Sequence, residues 1–126
     1  MPDSPIFVKL HDLLVWLFPR TLKFPREYRL ALASPIQQCA FALQHALLCA
    51  AKATDRVEQL AALRQADIEL ADLRLRLRLS IDLKLLEPRG YAHAARLTEE
   101  VGRLVGGWQK KNAHPLEASS GERPLV

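Results

Sequence analysis

Side chains that could act as nucleophiles or metal ligands are few in this sequence, and their spacing does not bring them together. The two cysteines lie ten positions apart in a segment rich in helix formers. On a helix their backbones would stand about 15 Å apart, so Cys39 and Cys49 could not form a disulfide with each other. Burial as small hydrophobic side chains is the simpler interpretation of both. The histidines show no pairing on one helix face; they are His11, His45, His93 and His114.

Catalytic motifs are also missing from the sequence. It has no phosphate-binding glycine loop, no serine in a nucleophile-elbow context and no carboxylate pair whose spacing marks an acid and a base. We therefore predict no catalytic residue, no metal ligand and no cofactor, and we expect a protein that binds other macromolecules. Carboxylates from different helices of a bundle could still form a site, so the spacing disfavours an enzyme without excluding one.

Basic residues give a stronger indication of function than the possible catalytic or metal-binding residues do. Their distribution along the sequence is more informative than their number. Lys and Arg total 18 against 14 Asp and Glu, a net charge of +4 that permits nucleic acid as a partner without requiring it. The segment LFPRTLKFPR forms a basic corner of Arg20, Lys23 and Arg26. A basic ladder recurs every seven residues farther on: Arg89, Arg96, Arg103 and Lys110. Two glutamates, Glu99 and Glu100, partly neutralise its middle, so an ordinary solvated helix face is the alternative interpretation.

Three more arginines lie in the run LRLRLRLS. Arg76 follows Asp72 by four residues and Arg78 precedes Asp82 by four, so both could form ion pairs along one helix face. Arg74 has no carboxylate three or four positions away. We expect Arg74 with Arg78 to meet an external anion or an acidic partner, while solvated ion pairs are the alternative interpretation for Arg76 and Arg78.

Helices are the elements that must position these side chains. The content is 49% hydrophobic, dominated by Leu and Ala with only five Gly, which predicts one all-α domain. We predict an antiparallel four-helix bundle over residues 5–111, a short extension over residues 1–4 and a disordered tail over residues 112–126. The predicted helices run from Pro5 to Phe18, from Arg26 to Ala53, from Asp55 to Leu86 and from Pro88 onward.

Prolines mark two of the predicted irregularities. Pro19 is expected to end the first helix, and Pro35 should kink or restart the second, with Ser34 as N-cap and Gln37 closing a capping box. No stretch reaches the roughly 18 apolar residues that a membrane span requires, and no basic-then-apolar signal pattern begins the chain. We therefore expect a cytoplasmic protein.

The run LRLRLRLS is ambiguous, because strict alternation is typical of a strand. Its flanks are helix formers without a turn signal, which favours a helix with two apolar faces. One face would join the bundle core through Leu63, Leu70, Leu73, Leu77 and Ile81. The opposite face predicts an oligomer interface of Ile68, Leu75, Leu79, Leu83 and Leu86.

Three blocks of the sequence carry a resemblance to a known family. They are PIFVKLHDLLVWLFPRTLKFPREYR, ADIELADLRLRLRLSIDLKLLEPRGYAHAARL and EVGRLVGGWQK. Together they resemble the accessory variability determinant family of diversity-generating retroelements, over about Pro5 to Lys111. The wider superfamily includes four-helix proteins encoded in intervening sequences of ribosomal RNA genes.

The resemblance implies a non-catalytic accessory protein. It would assemble as a pentameric barrel and bind the retroelement reverse transcriptase and its template RNA, and possible contact with the cDNA follows from the same role. The polymerase makes an error-containing cDNA that replaces a variable repeat in a target gene. Carried onto this chain, the basic family surfaces correspond to Arg74, Arg76 and Arg78 and to Arg20, Lys23 and Arg26. The alternatives are a self-assembling structural bundle without a nucleic-acid role and a protein-only adaptor for an acidic partner.

Overall fold

The computed structural model describes the backbone of residues 4–121 and the side chains of residues 4–112. Within this part of the chain every regular element is helical, which confirms the predicted fold class. The elements are α1 (Pro5–Thr21), the single turn α2 (Arg26–Tyr28), a π-helical segment (Arg29–Ala33), α3 (Ser34–Lys52), α4 (Arg56–Asp82) and α5 (Pro88–Gly121). No helix in these residues is both long enough and apolar enough to cross a membrane.

The four long helices close into a ring around one core. Helix α3 packs on α4, α4 on α5, α5 on α1 and α1 on α3, and short connections make successive helices antiparallel. Each helix contributes one apolar stripe, and burial of these stripes is the main favourable term in folding. The largest fully buried side chains are Phe24, Leu10, Leu13, Leu17, Ile36, Leu43, Leu47, Leu63, Leu70, Leu73, Leu77 and Val101.

The run LRLRLRLS is helical throughout, inside α4. The predicted core stripe of this helix is confirmed, since Leu63, Leu70, Leu73 and Leu77 are buried and Ile81 is partly buried. The alternation therefore places leucines on two opposite helix faces instead of on one face of a sheet. Helix α5 begins at Pro88 as predicted, and its stripe also reaches the core through Ala94, Leu97, Val101 and Val105.

The prolines act differently from the prediction at two points. Helix α1 continues through Pro19 to Thr21, because a proline this close to a helix end removes only one hydrogen bond. The irregularity near Pro35 is present as the π-helical segment Arg29–Ala33, which directly precedes α3. The predicted capping box at Ser34 is wrong, since no side chain caps the start of α3 and Gln37 donates instead to the hydroxyl of Thr21 at 2.9 Å.

The ends of α4 are set by a cap at the start and a left-handed residue at the finish. The Asp55 carboxylate accepts from the Glu58 N–H at 2.7 Å, as expected of an N-cap. The helix ends at Asp82, earlier than the predicted Leu86, because Lys84 adopts a φ of 64°. The N–H of Leu85 then reaches the carbonyl of Ser80 at 2.8 Å, which completes a Schellman motif.

The two terminal segments lie largely beyond what the structure describes. Residues 1–3 of the predicted extension fall outside the described residues. The predicted tail, residues 112–126, falls almost entirely on residues without described side chains, although the backbone of α5 extends to Gly121. The boundaries of these segments therefore stay predictions.

Replacing Lys84 by glycine should stabilise the protein. A left-handed conformation costs a residue with a Cβ roughly 1–2 kcal/mol, and relief of that cost outweighs the added entropy of glycine in the unfolded chain. We expect Lys84→Gly to raise the free energy of unfolding in urea by about 1 kcal/mol. The matched control is Lys84→Ala, which removes the same charge but keeps a Cβ and should gain nothing. Equal stability of the two variants would contradict this account.

Candidate nucleic-acid interface

Two separate basic segments of the sequence meet at one end of the bundle. The end of α1, the connection after α4 and the start of α5 enclose a groove of about 760 Å³. Its lining contains four cationic side chains, Arg20, Lys23, Arg89 and Arg96, and one carboxylate, that of Glu87. We call this the basic groove. Two of the three residues of the predicted basic corner and the first half of the basic ladder are thus parts of one surface.

The antiparallel packing of α1 on α5 creates the basic groove. Because the two helices run in opposite directions, the last turns of α1 lie beside the first turns of α5. Arg89 and Arg96 are seven residues apart and therefore project from the same side of α5. Gly90 favours the close approach of the helices, since a Cβ at this position would lie 3.3 Å from Cζ2 of Trp16, a tight contact.

An aromatic and guanidinium stack forms part of the groove lining. Arg20 donates from Nη1 to the carbonyl of Trp16 at 2.9 Å, and its guanidinium carbon lies 4.5 Å from the centre of the Trp16 ring. On α5, His93 lies with its ring centre 5.9 Å from that of Trp16, at an angle of 52° between the planes. Neither Trp16 nor His93 was predicted as a site residue. The only sequence signal was the spacing of four between Trp16 and Arg20.

The other members of the basic corner and ladder lie elsewhere. Arg26 is exposed in α2, and Lys110 is exposed two-thirds of the way along α5. Arg103 lines a second groove of about 310 Å³ between α4 and α5. We call this the mixed-charge groove, because its charged lining is Asp67, Arg74, Glu99 and Arg103. The four residues of the basic ladder are evenly spaced in the sequence, but they contribute to different surfaces of the protein.

The arginines of α4 are also divided between surfaces. Arg76 pairs with Asp72 at 3.2 Å and Arg78 with Asp82 at 3.7 Å, which confirms both predicted ion pairs. Arg74 faces α5, where a Cβ added to Gly102 would lie 3.7 Å from its Nη1. No ion pair of Arg74 occurs among the residues with described side chains. Its surroundings nevertheless include the carboxylates of the mixed-charge groove, so it does not form an isolated cationic site with Arg78.

The outward face of α4 carries exposed leucines, as predicted. Ile68, Leu75, Leu79 and Leu83 are 53%, 70%, 48% and 40% exposed. We call these four residues the α4 stripe. Leu86 must be removed from the predicted set, because it lies beyond the end of α4 and is only 8% exposed within the protomer. The early helix end turns its side chain into the chain's own core.

A second apolar surface lies on α1 and α3, which the sequence analysis did not identify. Val8, Val15 and Leu22 recur every seven residues along α1 and are exposed. Phe41 and Leu48 are exposed on the neighbouring helix α3. The rings of Phe18 and Phe41 stand 5.1 Å apart across these helices, and a groove of about 480 Å³ separates Val8 from Leu48. These five exposed residues form what we call the α1/α3 surface.

Comparison with protein families gives a match over most of the chain. A family model described as bAvd-like matches residues 6–112, most of the chain. The chain belongs to the bAvd-like family. Comparison with curated proteins gave no match.

Membership of the bAvd-like family confirms the resemblance seen in the sequence. The matched residues include α1 from its second residue, all of α3 and α4, and the part of α5 whose side chains are described, and thus both grooves and the α4 stripe. Membership of this family supports an accessory role in a retroelement.

One cluster of possible metal ligands lies away from these surfaces. Among the described residues, Cys39, Glu69 and Asp72 bring ligand atoms within 4.8 Å of one another between α3 and α4. The buried Cys39 thiol donates to the Glu69 carbonyl at 3.1 Å. Burial, with the nearby Asp72 and Glu69 carboxylates, raises the pKa of this thiol to about 12. With no cation at the cluster, the thiol therefore keeps its proton at neutral pH, which fits a side chain that packs α3 on α4.

The two cysteines should differ sharply in reactivity. Cys49 is exposed, whereas Cys39 is buried with a raised pKa. At about pH 8.5, where an ordinary thiol is half ionised, a disulfide reagent should titrate one thiol in the folded protein and both in denaturant. Cys49→Ser should abolish the reaction of the folded protein. Rapid reaction of two thiols in the native wild type would contradict the described environment of Cys39.

Proposed function

We propose that this chain is a non-catalytic accessory protein of a diversity-generating retroelement. It acts as a basic homo-oligomeric scaffold that binds the reverse transcriptase and its template RNA, and so supports mutagenic cDNA synthesis and retrohoming. The observation that carries the RNA part is the basic groove, whose lining includes four cations from two segments and one carboxylate. Family membership supports the retroelement context.

RNA is the partner that best fits the basic groove. Phosphates recur regularly along a nucleic-acid strand, so a cluster of cations can neutralise several at once and release their counterions. Arg20, Arg89 and Arg96 supply planar guanidinium groups, which can bind phosphate through two hydrogen bonds. The chain's net charge of +4 adds long-range attraction for RNA.

Self-association is supported by the two apolar surfaces. The α4 stripe and the α1/α3 surface are different patches, so contact between one of each repeats head to tail instead of closing as a symmetric pair. Such contacts generate a ring when the rotation between protomers closes, which is compatible with the pentamer that the family resemblance implies. A ring would present several copies of the basic groove and raise the effective concentration of RNA.

The mixed-charge groove is the surface that we assign to the reverse transcriptase. It combines Arg74 and Arg103 with Asp67 and Glu99, and charges of both signs suit a polar protein contact better than a polyanion. RNA and polymerase would then occupy different surfaces of the same protomer. The alternatives are a structural bundle without RNA and a protein-only adaptor, and both predict that the basic groove does not bind RNA.

Removing two groove arginines should weaken RNA binding. We expect Arg89→Ala combined with Arg96→Ala to reduce affinity for RNA by at least about tenfold, because charged hydrogen bonds contribute roughly 1.5–3 kcal/mol each. The dependence of log affinity on log salt should fall by about 1.4, the value for two lost contacts to a single strand. Binding would be measured by fluorescence anisotropy at several salt concentrations.

The matched control removes two exposed cations at the opposite end of the bundle, Lys52 and Arg56. Their double alanine variant has the same net charge as the groove variant and should retain most of the affinity. Equal losses in the two variants would indicate diffuse attraction without a groove. No measurable RNA binding by the wild type would favour one of the two alternatives.

Charging the α4 stripe should break the oligomer. We expect Leu75→Asp combined with Leu79→Asp to reduce the mass in solution to that of a monomer, since both carboxylates would be buried unpaired at the interface. Light scattering coupled to size exclusion measures this mass. Leu30→Asp is the control, because Leu30 is 87% exposed in the π-helical segment and lies outside the stripe. A stripe variant with unchanged oligomeric mass would overturn the assignment.

A further inference from the structure

We propose that the outward face of the Arg20 guanidinium stacks against an unpaired base of single-stranded RNA. Lys23, Arg89 and Arg96, which line the same groove, would hold phosphates of that strand. This inference rests on the RNA binding proposed above. It goes further by assigning a base-stacking subsite and by naming single-stranded RNA, rather than duplex, as the ligand.

The Arg20 side chain is held in place before any ligand binds. Its Nη1 donates to the carbonyl of Trp16 at 2.9 Å, one helical turn earlier. Its guanidinium carbon also lies 4.5 Å from the centre of the Trp16 ring. An arginine side chain normally loses much rotational freedom when it binds a ligand, and these two contacts remove that freedom in advance. Arg20 is thus preorganised, although it is exposed to solvent.

The same geometry leaves one face of the guanidinium for a ligand. Trp16 is only 9% exposed and contacts one side of the Arg20 group, so the tryptophan is a support and not the binding surface. Arg20 is exposed and lines the basic groove. Guanidinium planes stack well on nucleobases, and arginine serves as such a platform in single-strand recognition. His93, exposed in the same groove, adds a second flat group, whose ring centre lies 5.9 Å from that of Trp16.

The shape and charge of the groove favour an unpaired strand. In a duplex the bases are already stacked on one another, so their faces are not available to Arg20. The groove is concave, and Lys23, Arg89 and Arg96 line it together with Arg20. Glu87 repels phosphate but can accept a hydrogen bond from a base amino group, which fits a site that admits a base between phosphate contacts.

The substitution Arg20→Lys tests the platform while preserving the charge. Lysine keeps the attraction for phosphate but lacks the planar group. The probes are a short single-stranded oligoadenylate, an abasic strand of the same length and a duplex of the same length. We expect wild type to bind oligoadenylate most tightly, and Arg20→Lys to weaken that binding about tenfold while leaving the abasic strand unaffected. Arg96→Lys, the matched control in the same groove, should change the affinities of the three probes equally.

Each other outcome overturns the inference in a distinguishable way. If Arg20→Lys and Arg96→Lys behave alike, or if the wild type binds the abasic strand or the duplex as tightly as oligoadenylate, the groove binds RNA without the stacking subsite. If no RNA binds, the proposed function fails together with the subsite. Thermal unfolding of both lysine variants serves as the check on folding, and the three probes are compared within each variant, so a general loss of folded protein cannot imitate the expected pattern.

Discussion

Burial of one apolar stripe from each of four helices is the constraint on which the other features depend. The stripes can be buried together only if the helices close into a ring, and that closure brings α1 against both α3 and α5. The end of α1 then lies beside the start of α5, where Gly90 permits close contact with Trp16. The basic groove is therefore a consequence of core packing. Its cations need not be neighbours in the sequence.

Helix α4 shows how one element can have two packing requirements. Its inner stripe is fully satisfied within the protomer, whereas the α4 stripe leaves four large apolar side chains in contact with solvent. Contiguous apolar exposure of this kind is unfavourable unless another surface covers it. The α1/α3 surface offers a second patch of similar character on the same chain. The two together give a physical basis for the proposed head-to-tail assembly, in which each protomer of a ring would add one basic groove.

The distribution of charged side chains over the surfaces of this protein matters more than its net charge. The Lys9 and Glu100 side chains pair at 3.1 Å between α1 and α5, while Arg76 and Arg78 are matched by aspartates along α4. Such exposed pairs contribute little to stability. What they leave is a basic groove with a large excess of positive charge and a mixed-charge groove that is nearly balanced. This separation suits the proposed function, in which one surface would bind RNA and another would bind the reverse transcriptase.

The sequence by itself determined the helices, the core face of α4, the cap at Asp55 and the ion pairs of Arg76 and Arg78. These features depend on residues within one or two helical turns, and the rise and rotation of a helix fix such relations locally. The end of α4 escaped prediction because Lys84 adopts a conformation usual for glycine. Only the tertiary structure decided that Arg20 and Lys23 meet Arg89 and Arg96, that Arg103 faces Arg74 instead, and that Leu86 is internal. Those relations depend on which helix ends lie next to each other. The simultaneous packing of all four apolar stripes decides that arrangement, and no single segment of the sequence encodes such a long-range condition.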